Sequence, residues 1–119
     1  ALTVVNTLKA IAIDTETMRP ILSNVKGGLS GPAIKPVALR CVYDIHEAYG
    51  DVPIIGCGGI SDWRDAVEFF LAGASAVQIG TAVAVDTEVF QTINKGVETY
   101  MRRKHIGSVK DIVGLAHHK

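Results

Sequence analysis

The segment PIIGCGGISDWRDAVEFFLAGASAVQIGTA, residues 53–82, decides the fold. Two short apolar runs, 52–56 and 76–79, flank a stretch of helical period that ends at Gly73. This pattern predicts a strand, a helix with Ser61 as its N-cap, and a second strand. A helix between two strands returns the chain to the same end of the sheet, so the strands are expected to be parallel.

The rest of the chain continues this alternation on both sides. A β-branched run at 2–5 predicts a buried strand, and apolar residues at spacings of three and four predict an amphipathic helix over 34–49. A second helical pattern covers about 87–101. Residues 108–111 have the form of a capping box that opens a short terminal helix.

Two short extended runs, 11–14 and 20–25, interrupt the alternation and predict a small antiparallel hairpin. The predicted fold class is therefore α/β, with about three βα units plus this hairpin. Three units are compatible with a small open sheet and with part of a (β/α)8 barrel. Periodicity does not choose between them.

Glycines follow both strands of the opening segment at their carboxyl ends. Gly58 and Gly59 precede the predicted helix, and Gly80 and Thr81 follow the next strand. Loops at these ends of parallel strands bind ligands, and unhindered amides beside a helix amino terminus favour an anion such as phosphate. The alternative is that the glycines only permit tight turns with positive φ.

Two further segments belong to the same predicted rim. Asn6 and Thr7 follow the first strand and could offer an amide and a hydroxyl to a planar heterocycle, although spacing alone favours an Asx or ST turn. The loop GGLSGPAIKP, residues 27–36, could place backbone amides against a cofactor. Its alternative is a long loop with Pro36 in the first helical turn.

The composition of the chain bears on its binding partners and on the compartment in which it works. The 119 residues include 12 basic and 12 acidic side chains, which gives no general attraction for nucleic acid or an acidic membrane. No apolar run reaches the roughly 20 residues that span a bilayer. Cys41 and Cys57 lack CxxC spacing and suit a reducing, cytoplasmic compartment.

The histidines do not suggest a metal site. His46 and His105 are expected on the surface, and His117 and His118 lie at the end of the chain. We therefore predict no metal centre.

Four motifs in this order carry a resemblance to a known family: VVNTLKAIAID, GGLSGPAIKPVALR, PIIGCGGI and SAVQIGTA. Together they resemble the carboxy-terminal part of class 1 dihydroorotate dehydrogenases, and GLSGPAIKP is more similar to class 1B. The resemblance implies the carboxy-terminal portion of a TIM (β/α)8 barrel. A whole barrel needs at least about 200 residues, so we expect residues 1–119 to be one partial barrel domain without its amino-terminal strands.

The resemblance also implies an FMN site at the carboxyl rim. It assigns the FMN phosphate to Gly58, Gly59, Gly80 and Thr81, and it puts Gly31 near the isoalloxazine, with Ser30 as a weaker companion. Such enzymes oxidise dihydroorotate to orotate in pyrimidine biosynthesis. In class 1B they work with an electron-transfer subunit that carries FAD and an iron–sulfur cluster.

Asn6 and Thr7 inherit a substrate-binding role from the family's Asn-Thr pair, which contacts orotate. The family's general base, a cysteine, and its flavin-side lysine lie on upstream segments, so no catalytic residue is expected here and Cys57 does not replace the base. The isolated chain is expected to be inactive.

Two other functions stay open at this point. The chain could be a non-catalytic folding or assembly module, since an arc of barrel exposes two sheet edges that the remaining barrel chain or another copy would cover. It could also belong to another phosphate-binding flavin barrel enzyme, although the NTL and SGPAIKP motifs argue against this.

Overall fold

A computed structural model describes residues 1–117 of the chain. Strands and helices alternate as the sequence predicts, with additional short strands near the amino terminus. The strands are β1 (Leu2–Val4), β2 (Leu8–Ala10), β3 (Ile13–Asp14), β4 (Arg19–Pro20), β5 (Gly27–Leu29), β6 (Ile54–Cys57) and β7 (Ala76–Gln78). The helices are α1 (Lys35–Ala48), α2 (Trp63–Ala72), α3 (Thr81–Val85) and α4 (Val89–Arg103).

The main sheet has the order β1-β6-β7, and both pairings are parallel. Thr3 pairs with Ile55, and Gly56 pairs with Val77. The prediction of a parallel sheet is confirmed. The prediction that the first strand is buried is wrong for Leu2 and Thr3, which are exposed because β1 lies at the edge of the sheet.

The small antiparallel part is larger than predicted. The hairpin of β3 and β4 is confirmed by the pairing of Asp14 with Arg19. A second antiparallel pair joins β2 to β5, with Leu8 opposite Leu29. Residues 27–29 belong to the segment whose turn-forming residues predict a loop, and their pairing with β2 overrides the low strand propensity of the two glycines.

The helix starts differ in detail from the prediction. Pro36 lies in the first turn of α1, as expected. The N-cap of α2 is Asp62 and not Ser61, because Asp62 Oδ1 accepts a hydrogen bond of 2.9 Å from Asp65 N and the Asp65 carboxylate accepts one of 3.2 Å from Asp62 N. These reciprocal bonds form a capping box, which begins one residue after the predicted N-cap.

The helices after β7 differ from the prediction at three places. The sequence pattern missed the short helix α3, and α4 begins at Val89. Residues 109–111 form only a 3-10 turn, in which the Ser108 hydroxyl accepts a hydrogen bond of 3.3 Å from Lys110 N. Within residues 1–117, none of the helices has the length and apolar character needed to cross a bilayer.

The core lies between the sheet and the helices and fixes the central strand β6. Its largest fully buried side chains are Phe69, Ile54, Ile112 and Val42. A Cβ on Gly56 would lie 2.5 Å from the Phe69 ring and 3.2 Å from Ala74 Cβ, so the strand and α2 pack closely. This contact fixes the position of β6 relative to α2, and with it the position of Gly58 and Gly59, which follow the strand.

Candidate functional site

A cavity of about 470 Å³ lies at the carboxyl ends of the three parallel strands. It is lined by six of the seven residues predicted to bind substrate or cofactor: Thr7, Gly31, Gly58, Gly59, Gly80 and Thr81. Apolar side chains that include Val5, Ile34, Ile60 and Val89 form much of the remaining wall. Ser61 and Gln78 add polar groups. The fold thus brings residues from separate loops around one space.

The loop after β6 requires glycine for steric reasons. Gly58 and Gly59 have φ values of 137° and 74°, which is the region that favours glycine. A Cβ on Gly59 would lie 2.8 Å from the Gly31 carbonyl oxygen and 2.9 Å from Lys35 N. Tight turns therefore account for these two glycines, and the turns also pack the loop after β6 against the loop that carries Gly31.

Gly80 is different, because its φ is negative and no packing contact requires a glycine there. Its φ is −114°, and a Cβ built on it would meet no atom within 4 Å. The adjacent Thr81 hydroxyl donates a hydrogen bond of 2.9 Å to Ser30 Oγ. Gly80 lines the cavity, and no protein atom occupies the place of its missing side chain, which leaves room for a ligand.

Several backbone N–H groups at the cavity have no acceptor among the described residues. They belong to Gly59 in the first loop and to Gly80, Thr81 and Ala82 in the second. Backbone donors that the fold leaves without partners are available to water or to an anion. Both loops that line the cavity therefore carry backbone donors without a protein partner.

The amino terminus of α2 contributes less than the sequence suggested. An anion is predicted at a helix end capped by Ser61, but α2 begins at Trp63, which does not line the cavity. The Asp65 carboxylate also accepts hydrogen bonds of 3.0 Å and 3.2 Å from the two amides that precede the helix, Ser61 N and Asp62 N. A protein carboxylate occupies the position that favours negative charge. The donors at the cavity are thus the loop amides rather than this helix end.

An ion pair lies behind the loop after β6. Lys35 Nζ is 2.6 Å from Asp65 Oδ1 and 3.2 Å from Glu68 Oε1. Burial raises the pKa of Asp65, but hydrogen bonds from Lys35 and Ser61 hold it below its usual value. The hydrogen bond to Asp65 raises the pKa of Lys35. No local sequence pattern indicates this pair, and the only signal is the lysine at the end of the glycine-rich loop.

Asn6 and Thr7 have different environments. Asn6 is exposed and is not among the cavity-lining residues, and its Oδ1 accepts a hydrogen bond of 2.8 Å from the adjacent Thr7 N, which is one residue short of the Asx turn that the alternative predicts. Thr7 lines the cavity, and its side chain lies against Gly28. The structure brings Thr7 to the glycine loops and leaves the Asn6 side chain at the surface.

The cysteines and histidines lie around the site or away from it. Cys57 ends β6 and lines the cavity, and both it and Cys41 are free thiols. His46 is half-buried, contrary to prediction, because its ring packs against Gly73 and Gly114. His118 lies outside the described residues. In the described part of the chain, no three histidine, cysteine or acidic side chains are grouped as metal ligands would be.

Comparisons with known proteins agree with this architecture. A solved structure of a dihydroorotate dehydrogenase from Eimeria tenella, in complex with ferulenol, superimposes with a TM-score of 0.80 at 31% identity. The match covers 98% of this chain and 31% of that one. Together with the parallel sheet and the antiparallel pairs, this shows the fold to be the carboxy-terminal portion of a TIM (β/α)8 barrel.

The sequence comparisons give the same family. The catalytic subunits of dihydroorotate dehydrogenase B (NAD(+)) from Thermococcus kodakarensis and Pyrococcus furiosus are 59% and 60% identical to it over 117 and 113 residues. The matches cover 98% and 94% of this chain but only 38% and 37% of those relatives. A family model described as dihydroorotate dehydrogenase matches residues 1–101. The chain belongs to the dihydroorotate dehydrogenase family.

Proposed function

We propose that this chain is the FMN-phosphate-binding and substrate-rim portion of a dihydroorotate dehydrogenase, which oxidises dihydroorotate to orotate in pyrimidine biosynthesis. The observation that carries the proposal is the set of unpartnered amides of Gly59, Gly80 and Thr81, residues that follow two consecutive strands and line one cavity. Such amides bind phosphate without a charged side chain.

The residues present fit FMN in shape and chemistry. The amides of the two glycine loops would hold the phosphate, and Gly80 leaves space for its approach. The apolar wall and Gly31 would lie along the flavin ring system. A volume of about 470 Å³ is within the range of small-molecule pockets, which extends from about 300 to 1,000 Å³.

The bound flavin supplies hydride acceptance, and the chain supplies position and exclusion of water. Thr7, on the cavity wall, and Asn6 beside it would bind the substrate ring. We assign no catalytic residue within this chain, and we propose that it is inactive alone. The general base would come from the part of the protein that the relatives have beyond this stretch, since the chain spans under two fifths of their length.

The proposed assembly follows from the same comparison. Residues 1–119 would be part of one barrel domain whose other strands cover the open edges of β1 and β7. The relatives are named as catalytic subunits of an NAD(+) enzyme, so we propose a partner electron-transfer subunit with FAD and an iron–sulfur cluster. Two free thiols suit a cytoplasmic location.

A Gly80→Ala variant tests the phosphate site. In the intact protein that carries this chain, the added methyl group is expected to lower FMN affinity about tenfold or more, because it enters space that the phosphate needs. Its thermal midpoint should stay unchanged, since the Cβ meets no protein atom within 4 Å. Isothermal titration with FMN and a thermal melt measure both quantities.

Gly107→Ala is the matched control, because a Cβ on Gly107 also meets no atom within 4 Å and this glycine is not among those that line the cavity. It should bind FMN as the unchanged protein does. Equal FMN affinity in the two variants would show that the FMN phosphate does not bind at the loop of Gly80.

An Asn6→Ala variant tests the substrate rim separately. We expect a higher KM for dihydroorotate or a lower kcat with a normal flavin content, because Asn6 is exposed and supports no core contact. Steady-state kinetics and the flavin-to-protein ratio are the measurements. Unchanged kinetics at a normal flavin load would exclude a substrate-binding role for this side chain.

The exposed apolar side chains favour a second candidate function, that of an assembly module without catalysis. Ile13 and Met18 in the hairpin are 60% and 84% exposed, and such surface is typical of an interface. Intact-mass analysis of the purified protein with a visible absorption scan separates the two. A flavin band together with the remaining barrel strands supports the enzyme, and a colourless chain of 12.7 kDa supports the module.

A further inference from the structure

We propose that Lys35 and Asp65 are positioning residues that hold the loop 58–61 against the loop of Gly31 and thereby set the spacing of the phosphate donors. This inference rests on the proposed function for its ligand. The pair does not line the cavity itself, so it would act through the backbone.

The Asp65 carboxylate connects two elements through its two oxygens. Oδ1 accepts a hydrogen bond of 2.6 Å from Lys35 Nζ. Oδ2 accepts from Ser61 N at 3.0 Å, from Ser61 Oγ at 3.1 Å and from Asp62 N at 3.2 Å. The side chain is only 11% exposed. One carboxylate therefore ties the end of the loop 58–61 to the first residue of α1.

Lys35 contacts the same loop a second time, through its backbone. A Cβ on Gly59 would lie 2.8 Å from Lys35 Cβ and 2.9 Å from Lys35 N, so the two segments touch where Gly59 turns. Lys35 therefore contacts the loop at Gly59 directly and at Ser61 through Asp65. With both contacts in place, the free amide of Gly59 has a fixed position relative to the loop of Gly31.

Lys35 also offsets the negative charge of Asp65 behind the proposed anion site, although its single ammonium faces the Glu68 carboxylate as well. A carboxylate next to a phosphate loop would repel the ligand unless a cation neutralises it. The pKa of Lys35 is raised and that of Asp65 is lowered by their contact. The Glu68 carboxylate lies 3.2 Å from the same ammonium, and the backbone N–H of Asp62 donates a hydrogen bond to the Asp65 carboxylate. Because the pKa of Asp65 is lowered and that of Lys35 is raised, both groups are ionised at neutral pH. Asp65 therefore stabilises the fold at pH values above its unfolded-state pKa, and Lys35 does so at pH values below its own.

Substitution of either partner tests the inference in the intact protein that carries this chain. Lys35→Met and Asp65→Asn should each weaken FMN binding about tenfold, since misplaced donors lose much of their effect. Binding of riboflavin, which has no phosphate, should change less than twofold. Quenching of flavin fluorescence gives both dissociation constants. A merely structural role would lower both affinities together.

Glu68→Gln is the matched control. Glu68 accepts from the same ammonium at 3.2 Å, but it is 43% exposed and shows no hydrogen bond to residues 58–61 in the described structure. Its FMN affinity should stay within twofold of the unchanged protein. A loss equal to that of Asp65→Asn would show that the lysine contact, and not the link to the loop, is what matters, and would overturn the proposal.

Hydrogen exchange at the Ser61 amide, which donates to Asp65 Oδ2, is a second readout in the flavin-free protein that does not depend on the ligand. Exchange should be faster in Lys35→Met and Asp65→Asn and unchanged in Glu68→Gln. If the unchanged protein fails to bind FMN while these exchange rates rise, the proposed function is wrong and the positioning role stands. Unchanged exchange rates, or an unchanged ratio of FMN to riboflavin affinity in protein that binds FMN, overturn the positioning role.

Discussion

Gly59→Val is expected to abolish FMN retention and to lower the free energy of unfolding by about 2–3 kcal/mol in the intact protein. The residue has a φ of 74°, which a β-branched side chain rarely adopts. The first carbon of that side chain would also lie 2.8 Å from the Gly31 carbonyl oxygen. The loop must move to relieve these contacts, and its free amide moves with it. Flavin content after gel filtration and a urea melt are the measurements.

Gly107→Val is the control for this experiment, because it adds the same atoms where a Cβ meets no neighbour within 4 Å. Its flavin content and stability should match those of the unchanged protein. Retention of FMN by Gly59→Val with an unchanged melt would show that the loop after β6 neither needs glycine nor positions the phosphate.

Phe69→Ala is expected to cause the largest loss of stability, about 3–5 kcal/mol. The ring is fully buried and packs against Gly56 and Ala74, so truncation leaves a cavity under β6. A looser β6 should also weaken FMN binding, because this strand leads into Gly58 and Gly59. Urea unfolding of the intact protein measures the change in stability.

Phe90→Ala removes the same number of atoms from a side chain that is 47% exposed. It should lower the free energy of unfolding by less than half as much. Equal losses in the two variants would contradict the position of Phe69 as the contact that fixes the central strand.

The sequence predicts the alternating elements well because they follow from local patterns. The run at 52–56, the helix that ends at Gly73 and the run at 76–79 all correspond to observed elements. Burial in the first strand was not predictable in this way. Thr3 is β-branched and suits a strand, but its exposure depends on which strands lie beside β1.

The sequence predicts the parts of the site that depend on glycines at strand ends. It does not predict the parts that depend on contacts between side chains far apart in the sequence. Glycines at strand ends are visible in the sequence, and Gly58, Gly59 and Gly80 do line one cavity. The bond between Lys35 and Asp65 joins residues 30 positions apart, and no local pattern encodes it. The N-cap at Asp62 instead of Ser61 reflects the same carboxylate, since Asp65 completes the capping box.

A crystal structure of the intact protein with FMN tests the central claim most directly. The account predicts phosphate oxygens within about 3 Å of the amide nitrogens of Gly59 and of Gly80 or Thr81, with one anion held by both loops. A phosphate bound elsewhere, with these amides facing only solvent, would contradict it.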